Sequence, residues 1–319
     1  MGRPRGETIC VTHEGDLDGL ASAALASLVW EADVVPVGYG EMVAAIEGAS
    51  ATRLVITDLA VTGKLFHKLL ASLKRFEEVV IVDHHPLRVE ERRALEGVGV
   101  KLVHDVRDCT TVLAYHYWKP QLPAEASRLA AYAALTDYME DGPLARPIVE
   151  RFERVTLFLE ASLYALAIIR RENSKEGLRD IVAHLREFKR PQESGAIVDD
   201  ALQALARLDR LRHHVATQIT RMGEVGIVET GEEATGTIAA LALEVGDCPV
   251  ALAYRREGDH IKVSSRSVPS FRVHLGEVVA RAADLVGGMG GGHMHATGAR
   301  IPRDRMEEFL TIFLSSLAR

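Results

Sequence analysis

Between residues 8 and 118, short unbroken apolar runs alternate with longer stretches whose apolar side chains recur at helical spacing. The runs at 8–12, 34–37, 53–57, 78–82 and 100–103 are rich in β-branched residues. They lack the apolar-polar alternation of a half-buried strand, so they predict strands covered on both faces, as in a parallel sheet. The stretches 19–31, 41–48, 63–75 and 110–118 predict helices. Strand-helix alternation of this kind predicts a doubly wound, mainly parallel α/β domain. From 124 to 218 the pattern is mostly helical, with Leu157, Ala161, Tyr164 and Ile168 on one face. A break at 191–195 precedes a long predicted helix, 198–220, with Val198, Leu202, Leu205, Leu208 and Leu211 on one side. Strands at 225–229, 249–255 and 260–267, with helices at 234–244, 272–286 and 303–317, predict a second, smaller α/β domain.

Carboxylates follow the apolar runs. The first leads into His13-Glu14-Gly15-Asp16-Leu17-Asp18-Gly19, the third into Asp58, and the fourth into Asp83-His84-His85. The helix-like stretch 129–135 leads into Thr136-Asp137. Ligands of open α/β sheets bind at the C-terminal ends of strands, where these groups converge. Converging carboxylates raise one another's pKa unless cations compensate them. Asp16, Asp18, Asp58, Asp83 and Asp137 with His13 and His84 make an inventory for two divalent ions about 3.5–4 Å apart, and mixed carboxylate-imidazole donors suit manganese, iron or zinc. Each group also has a plainer reading. Asp16 to Gly19 can form a turn with a helix cap, and Asp58 can cap a loop or helix. Thr110 and Thr111 open a predicted helix, whose free amides could hold an anion or simply be capped.

The order His13-x-x-Asp16-x-Asp18, Asp58, Asp83-His84-His85 and Asp137 resembles the DHH phosphoesterases. The resemblance continues in Val263-Ser264-Ser265-Arg266-Ser267 and Gly290-Gly291-Gly292-His293, which are similar to the DHH-associated C-terminal domain. It spans the chain outside residues 145–220. One departure stands out: many members place three residues between the histidine and the first aspartate, and here only Glu14 and Gly15 intervene.

The resemblance implies a metal-dependent phosphodiesterase with a catalytic domain over residues 1–195, including the helical segment 124–190. A connector helix over 196–220 and a substrate-binding domain over 221–319 follow. His13, Asp16 and Asp58 would hold one ion, and Asp18, Asp58, His84 and Asp137 the other. Asp83 would ligate or stand behind the ligands, and His85 would face the substrate phosphate, so both count as catalytic. Thr110, Thr111, Arg266, Gly290, Gly291, Gly292 and His293 are the substrate-binding candidates. Arg266 has an alternative as a surface ion pair, and Gly287 to His293 is too glycine-rich for a strand interior. Two divalent ions are expected, manganese first, with magnesium or cobalt as alternatives.

Short oligonucleotides or dinucleotides are the expected substrates. Exonuclease action on longer single strands, phosphomonoester or pyrophosphate hydrolysis, and a catalytically silent role in a replication or repair complex are the competing readings. The last would be expected to lack metal-ligand aspartates, and none is missing. Across 319 residues the net charge is −7 and aromatics make up 5%. That balance offers no basic aromatic stripe for long nucleic acid. Cys10, Cys109 and Cys248 have no zinc spacing and read as small buried hydrophobes. With no apolar run of about 18 residues and no signal-peptide core, no membrane partner is expected and a cytoplasmic location is the default. A homodimer is compatible with this reading.

Overall fold

The computed structural model describes residues 7–38, 40–61, 65–292 and 294–317, and the chain divides into two compact units, Met1–Leu205 and Ala206–Arg319. The first unit alternates β1 (Thr8–His13), α1 (Leu17–Trp30), β2 (Asp33–Val37), α2 (Met42–Gly48), β3 (Arg53–Thr57), α3 (Phe66–Leu73), β4 (Glu78–Asp83), α4 (Val89–Gly97), β5 (Lys101–His104) and α5 (Thr110–Trp118). The helices α6 (Ala126–Thr136), α7 (Arg146–Val149), α8 (Arg154–Arg171) and α9 (Lys175–Arg186) follow, and α10 (Gly195–Gln218) runs from this unit into the next.

The sheet is parallel throughout, in the order β2-β1-β3-β4-β5. Its strands are apolar on both sides because both sides are covered. Cys10, Val55, Val80 and Val82 face α1, α5, α6, α8 and α9 in one core, and Val11, Leu54, Ile56, Val79 and Ile81 face α2, α3 and α4 in the other. Burying each such Val, Leu or Ile contributes about 1.5–3 kcal/mol. The order reverses between β1 and β3, which is where doubly wound sheets open a crevice at their carboxyl ends.

Helix α4 has no counterpart in the predicted elements. Leu95 is its one fully buried apolar side chain, too little to set a period. It starts instead on a local cap, in which the Arg88 N–H donates to Glu91 Oε2 at 3.1 Å. In α10 the expected apolar face is displaced. Leu202 and Leu205 are exposed, whereas Ile197, Ala201, Ala204, Leu211 and Val215 are buried.

The second unit comprises β6 (Thr220–Met222), β7 (Val225–Glu229), α11 (Thr235–Gly246), β8 (Val250–Glu257), β9 (His260–Ser267), α12 (Leu275–Leu285), β10 (Met289–Gly292), β11 (Ala296–Pro302) and α13 (Met306–Leu317). Its mixed sheet has the order β10-β11-β9-β8-β7-β6. One face packs on α12 and α13, the other on α11 and the end of α10. The glycine stretch expected to be a loop is an edge strand: Gly290 pairs with Ala299, and Gly292 with Thr297. Close packing explains its composition. A Cβ at Gly290 would lie 2.8 Å from that of Ala299 and 3.0 Å from that of Ala283 in α12, and Gly292 has φ +136°, a conformation other residues rarely adopt.

Candidate metal centre

The carboxyl ends of β1, β3 and β4 lie side by side, with Thr12 level with Thr57 and Thr57 level with Val82. A buried hydroxyl ladder holds this edge: Thr57 Oγ1 donates to Thr12 Oγ1 at 2.8 Å, and Thr12 Oγ1 donates to the Gly19 carbonyl at 2.6 Å. Asp58 leaves β3 with its N–H still bonded to the Val82 carbonyl at 3.1 Å, and its φ is +55°. Aspartate tolerates that left-handed conformation better than most residues. Asp83 ends β4, and Asp137 caps the C-terminus of α6.

These termini bring four of the predicted donors together, Asp18, Asp58, His84 and Asp137. Asp58, His84 and His85 each offer a ligand atom within 4.8 Å of the others, and so do Asp18, His84 and Asp137. His84 Nε2 lies 3.5 Å from Asp58 Oδ1 and 3.7 Å from Asp137 Oδ2, so His84 belongs to both groups. His13 Nε2 lies 3.6 Å from Asp16 Oδ2, and neither joins a group of three. Asp16 also caps α1, accepting from the Gly19 N–H at 3.0 Å, so its turn and its place in the cluster coexist. The tightened His13–Asp16 loop depends on Gly15, whose Cβ would stand 2.7 Å from His13 Nε2.

The charge balance is unfavourable for bare protein. Burial first, then the charges of Asp16 and Asp18, push the Asp58 carboxyl well above its ordinary value. Burial and the charge of Asp18 likewise raise Asp137, to about 9, against the opposing pull of His84. Asp137 Oδ2 is buried with no hydrogen-bond partner. Buried acids whose pKa values are raised by burial and by one another, arranged with imidazoles at ligand spacing, fit divalent cations with mixed oxygen and nitrogen donors.

Asp83 has a different neighbourhood. Its Oδ1 accepts from His85 Nδ1 at 2.7 Å, and it belongs to neither group of three. Burial would raise its pKa, but the charge and hydrogen bond of His85 outweigh that and hold it below the ordinary range. His85 is raised in turn: burial opposes its charge, and Asp83 more than compensates.

The threonines face inward. The anion at the N-terminus of α5 is Asp18, whose carboxylate accepts from the Thr110 N–H at 2.8 Å and the Thr111 N–H at 2.7 Å. Thr110 Oγ1 donates to Asp58 at 3.1 Å and Thr111 Oγ1 to the Asp18 carbonyl at 2.8 Å. Both residues are fully buried, so their donors hold the carboxylates rather than a substrate phosphate. The helix dipole reinforces this placement of an acid.

Sequence reasoning missed several supports. His104, at the end of β5, donates from Nε2 to the His85 carbonyl at 2.6 Å and accepts from Arg92 at Nδ1 at 2.7 Å. Its position at the end of a strand was the available signal. Lys175, at the start of α9, bonds Glu14 beside His13 and reaches Glu41 at 2.9 Å. Nothing local could reveal a partner 161 positions away. Asp108, wholly buried, accepts from the Leu144 and Ala145 amides and so pins the loop after Asp137.

In the second unit, Arg266 is largely buried, donates to the Ser265 carbonyl at 3.0 Å, and has no carboxylate partner among the described residues. Burial lowers its pKa. The adjoining Thr297 Oγ1 is buried without a partner, and a Cβ at Gly236 would meet the guanidinium at 2.9 Å. Gly290, Gly291 and Gly292 lie on the edge strand already described, and His293 falls outside the described residues.

Residues 227–318 match the family described as the DHHA1 domain. No curated protein matches the chain by sequence. Among solved structures, a DHH-domain protein described as a member of a family of ribosomal proteins superposes with a TM-score of 0.74 at 15% identity, covering 97% of this chain and 86% of that one. RecJ from Thermus thermophilus, in complex with Mn²⁺, has a TM-score of 0.68 at 19% identity over 98% of this chain, which spans 52% of RecJ. The pGpG-specific phosphodiesterase PggH from Vibrio has a TM-score of 0.56 at 13% identity and covers 98% of each chain. These likenesses establish a shared fold. The family match lies within the second unit, and the DHH tripeptide at the end of β4 stands in the first.

Proposed function

We propose that this chain is a metal-dependent phosphodiesterase that hydrolyses short oligonucleotides or dinucleotides. The observation that carries this reading is the pair of donor groups sharing His84, flanked by buried carboxylates whose pKa values are raised for want of positive charge. Asp16, Asp58 and His13 would hold one divalent ion, and Asp18, Asp58, His84 and Asp137 the other. Manganese is the first candidate, since RecJ has been solved with manganese and with magnesium. Two such ions lower the pKa of a shared water and neutralise charge on a phosphoryl group.

The protein's own groups do the rest. The amides of Thr110 and Thr111 fix the Asp18 carboxylate, and the Thr110 hydroxyl fixes Asp58, so the donors are held before any ion arrives. Burial lowers the His85 pKa, and the charge and hydrogen bond of Asp83 more than reverse that, favouring the protonated ring. With Nδ1 bonded to Asp83, Nε2 of His85 would either complete the group with Asp58 and His84 or, in the protonated ring, donate to a phosphate oxygen in the transition state. Arg266, desolvated and without a carboxylate partner among the described residues, suits a second phosphate or a terminal nucleotide, since a guanidinium grips phosphate with two parallel hydrogen bonds.

Support for a short substrate comes from PggH, whose name specifies a dinucleotide and whose length matches this chain almost end to end. The chain spans half of the Thermus RecJ, so exonuclease action on long strands is the second reading. Purified protein with manganese should be given dinucleotides, labelled 5-mers and 20-mers, and pyrophosphate. Dinucleotides and 5-mers should disappear first. Preferential shortening of the 20-mer supports the exonuclease reading, and release of phosphate from pyrophosphate alone overturns both.

A further inference from the structure

The helical part of the first unit contains a cavity of about 410 Å³ that takes no part in the metal centre. Behind its lining residues Arg128 and Tyr132 lies the buried Glu160, which accepts from Arg128 at 2.8 Å, Tyr132 Oη at 2.7 Å and Gln192 at 2.8 Å. These bonds hold Arg128 in place, 4.7 Å from the centre of the Phe152 ring. Arg151, Lys189 and Arg190 also line the cavity. Arg128 and Arg190 face Glu160, Lys189 is paired with Glu187, and Glu125 and Glu193 lie beside them, in a chain whose net charge is −7. Arg151 has no ion pair among the described residues.

Phe188 forms another wall and has φ +54°. It sits just beyond α9, a position that glycine or asparagine usually takes. A bulky residue retained in a strained conformation invites a use for its side chain. The cavity thus offers aromatic and guanidinium faces for a planar ring and the guanidinium of Arg151 for an anion. Its volume falls within the roughly 300–1,000 Å³ of small-molecule sites.

We infer that this cavity binds a mononucleotide, a planar base carrying a phosphate, at a site separate from the carboxylate cluster. The base stacks among Phe152, Phe188 and Arg128, and Arg151 takes the phosphate. Stacking on aromatic side chains accepts any base, and guanidinium recognition of phosphate is charge-assisted. The site shares α6 with the metal centre: Arg128 lies near its start and Asp137 caps its end, roughly 13 Å along the axis at about 1.5 Å per residue.

The test is calorimetric titration of the full chain in chelator, so that no divalent ion recruits the ligand to the carboxylates. Three probes are used: AMP, adenosine and inorganic phosphate. AMP should bind more tightly than either fragment by roughly tenfold or more. Arg151→Glu and Phe188→Gly should each weaken AMP by roughly tenfold. The glycine variant suits the backbone conformation at 188, so loss of binding there reports the ring and not misfolding. Manganese-dependent hydrolysis of a small generic phosphodiester should be unchanged in both variants. Unaltered AMP affinity in both variants, phosphate binding as well as AMP, or no AMP binding at all would overturn the assignment. None of these outcomes depends on whether the metal centre hydrolyses nucleotides.

Discussion

Glu160 and Asp58 are buried almost equally, 1% and 2% exposed, yet burial has opposite outcomes for them. At Glu160 the hydrogen bonds of Gln192 and Tyr132 and the charges of Arg128 and Arg190 overcome desolvation, and the carboxyl is held below its ordinary range. At Asp58 the neighbours are mostly other acids, so they add to the desolvation and drive the carboxyl up. One acid is compensated by cationic and donor partners, and the other is surrounded mainly by like charge. Burial therefore does not separate a structural carboxylate from a functional one; the sign of its surroundings does.

The sharpest way to break this comparison is Asp58→Asn. Manganese-dependent hydrolysis should fall by about 10³-fold, because a ligand and its charge are lost together. The metal-free protein should be as stable as before or more so, since a repelled acid has been removed. Thermal unfolding in chelator checks this, and a destabilisation as large as that from Glu160→Ala would end the distinction. Glu160→Ala is the converse. It strands Arg128 and the Tyr132 hydroxyl and should cost about 3 kcal/mol in urea unfolding. Turnover per folded molecule should stay near wild type, because the site at the end of α6 keeps its donors.

Asp83→Asn tests the third kind of buried acid, one paired with a single imidazole. His85 would lose both orientation and its raised pKa, so kcat should fall by about 10²-fold with little change in KM. An equal loss in manganese affinity would move Asp83 from positioning His85 to ligation.

The metal-free protein should also lose stability as pH rises. Asp58 and Asp137 have folded pKa values above the unfolded value of about 4. Between the two values the folded state holds protons that the unfolded state has released, so stability declines through that window. His84 and His85, also raised, contribute stability below about pH 6.5 that is lost as pH climbs through their folded values. The midpoint of thermal unfolding in chelator should therefore drop as pH rises from about 4 towards about 9, and manganese should flatten the slope by replacing the protons. A rising midpoint in chelator would show the acids are compensated already. The smallest effect concerns the tightened loop. Gly15→Ala would crowd His13 and should lower activity about tenfold by displacing a ligand, leaving urea unfolding nearly unchanged.

Much of the fold was legible because it is local. Buried parallel strands announce themselves as unbroken β-branched runs, and five such runs were placed to within a residue at either end. The carboxylates at their ends could be named as a group because strand termini of a parallel sheet must lie together. Helix α4 was invisible because it has almost no buried face. Strand β10 was mistaken for a loop because its glycines answer to the close approach of α12, a contact that cannot be read along the chain.

From the sequence alone came the α/β class, the strand termini and the identity of the acids, since each follows from residue type and short-range periodicity. Tertiary structure decided what each acid touches. Asp18 finds the Thr110 and Thr111 amides 92 and 93 positions away, Glu14 finds Lys175, and Glu160 finds Gln192. Hydrogen-bond partners and local charge depend on which distant segments pack together, and that packing turns one buried carboxylate into a structural support and another into a candidate ligand.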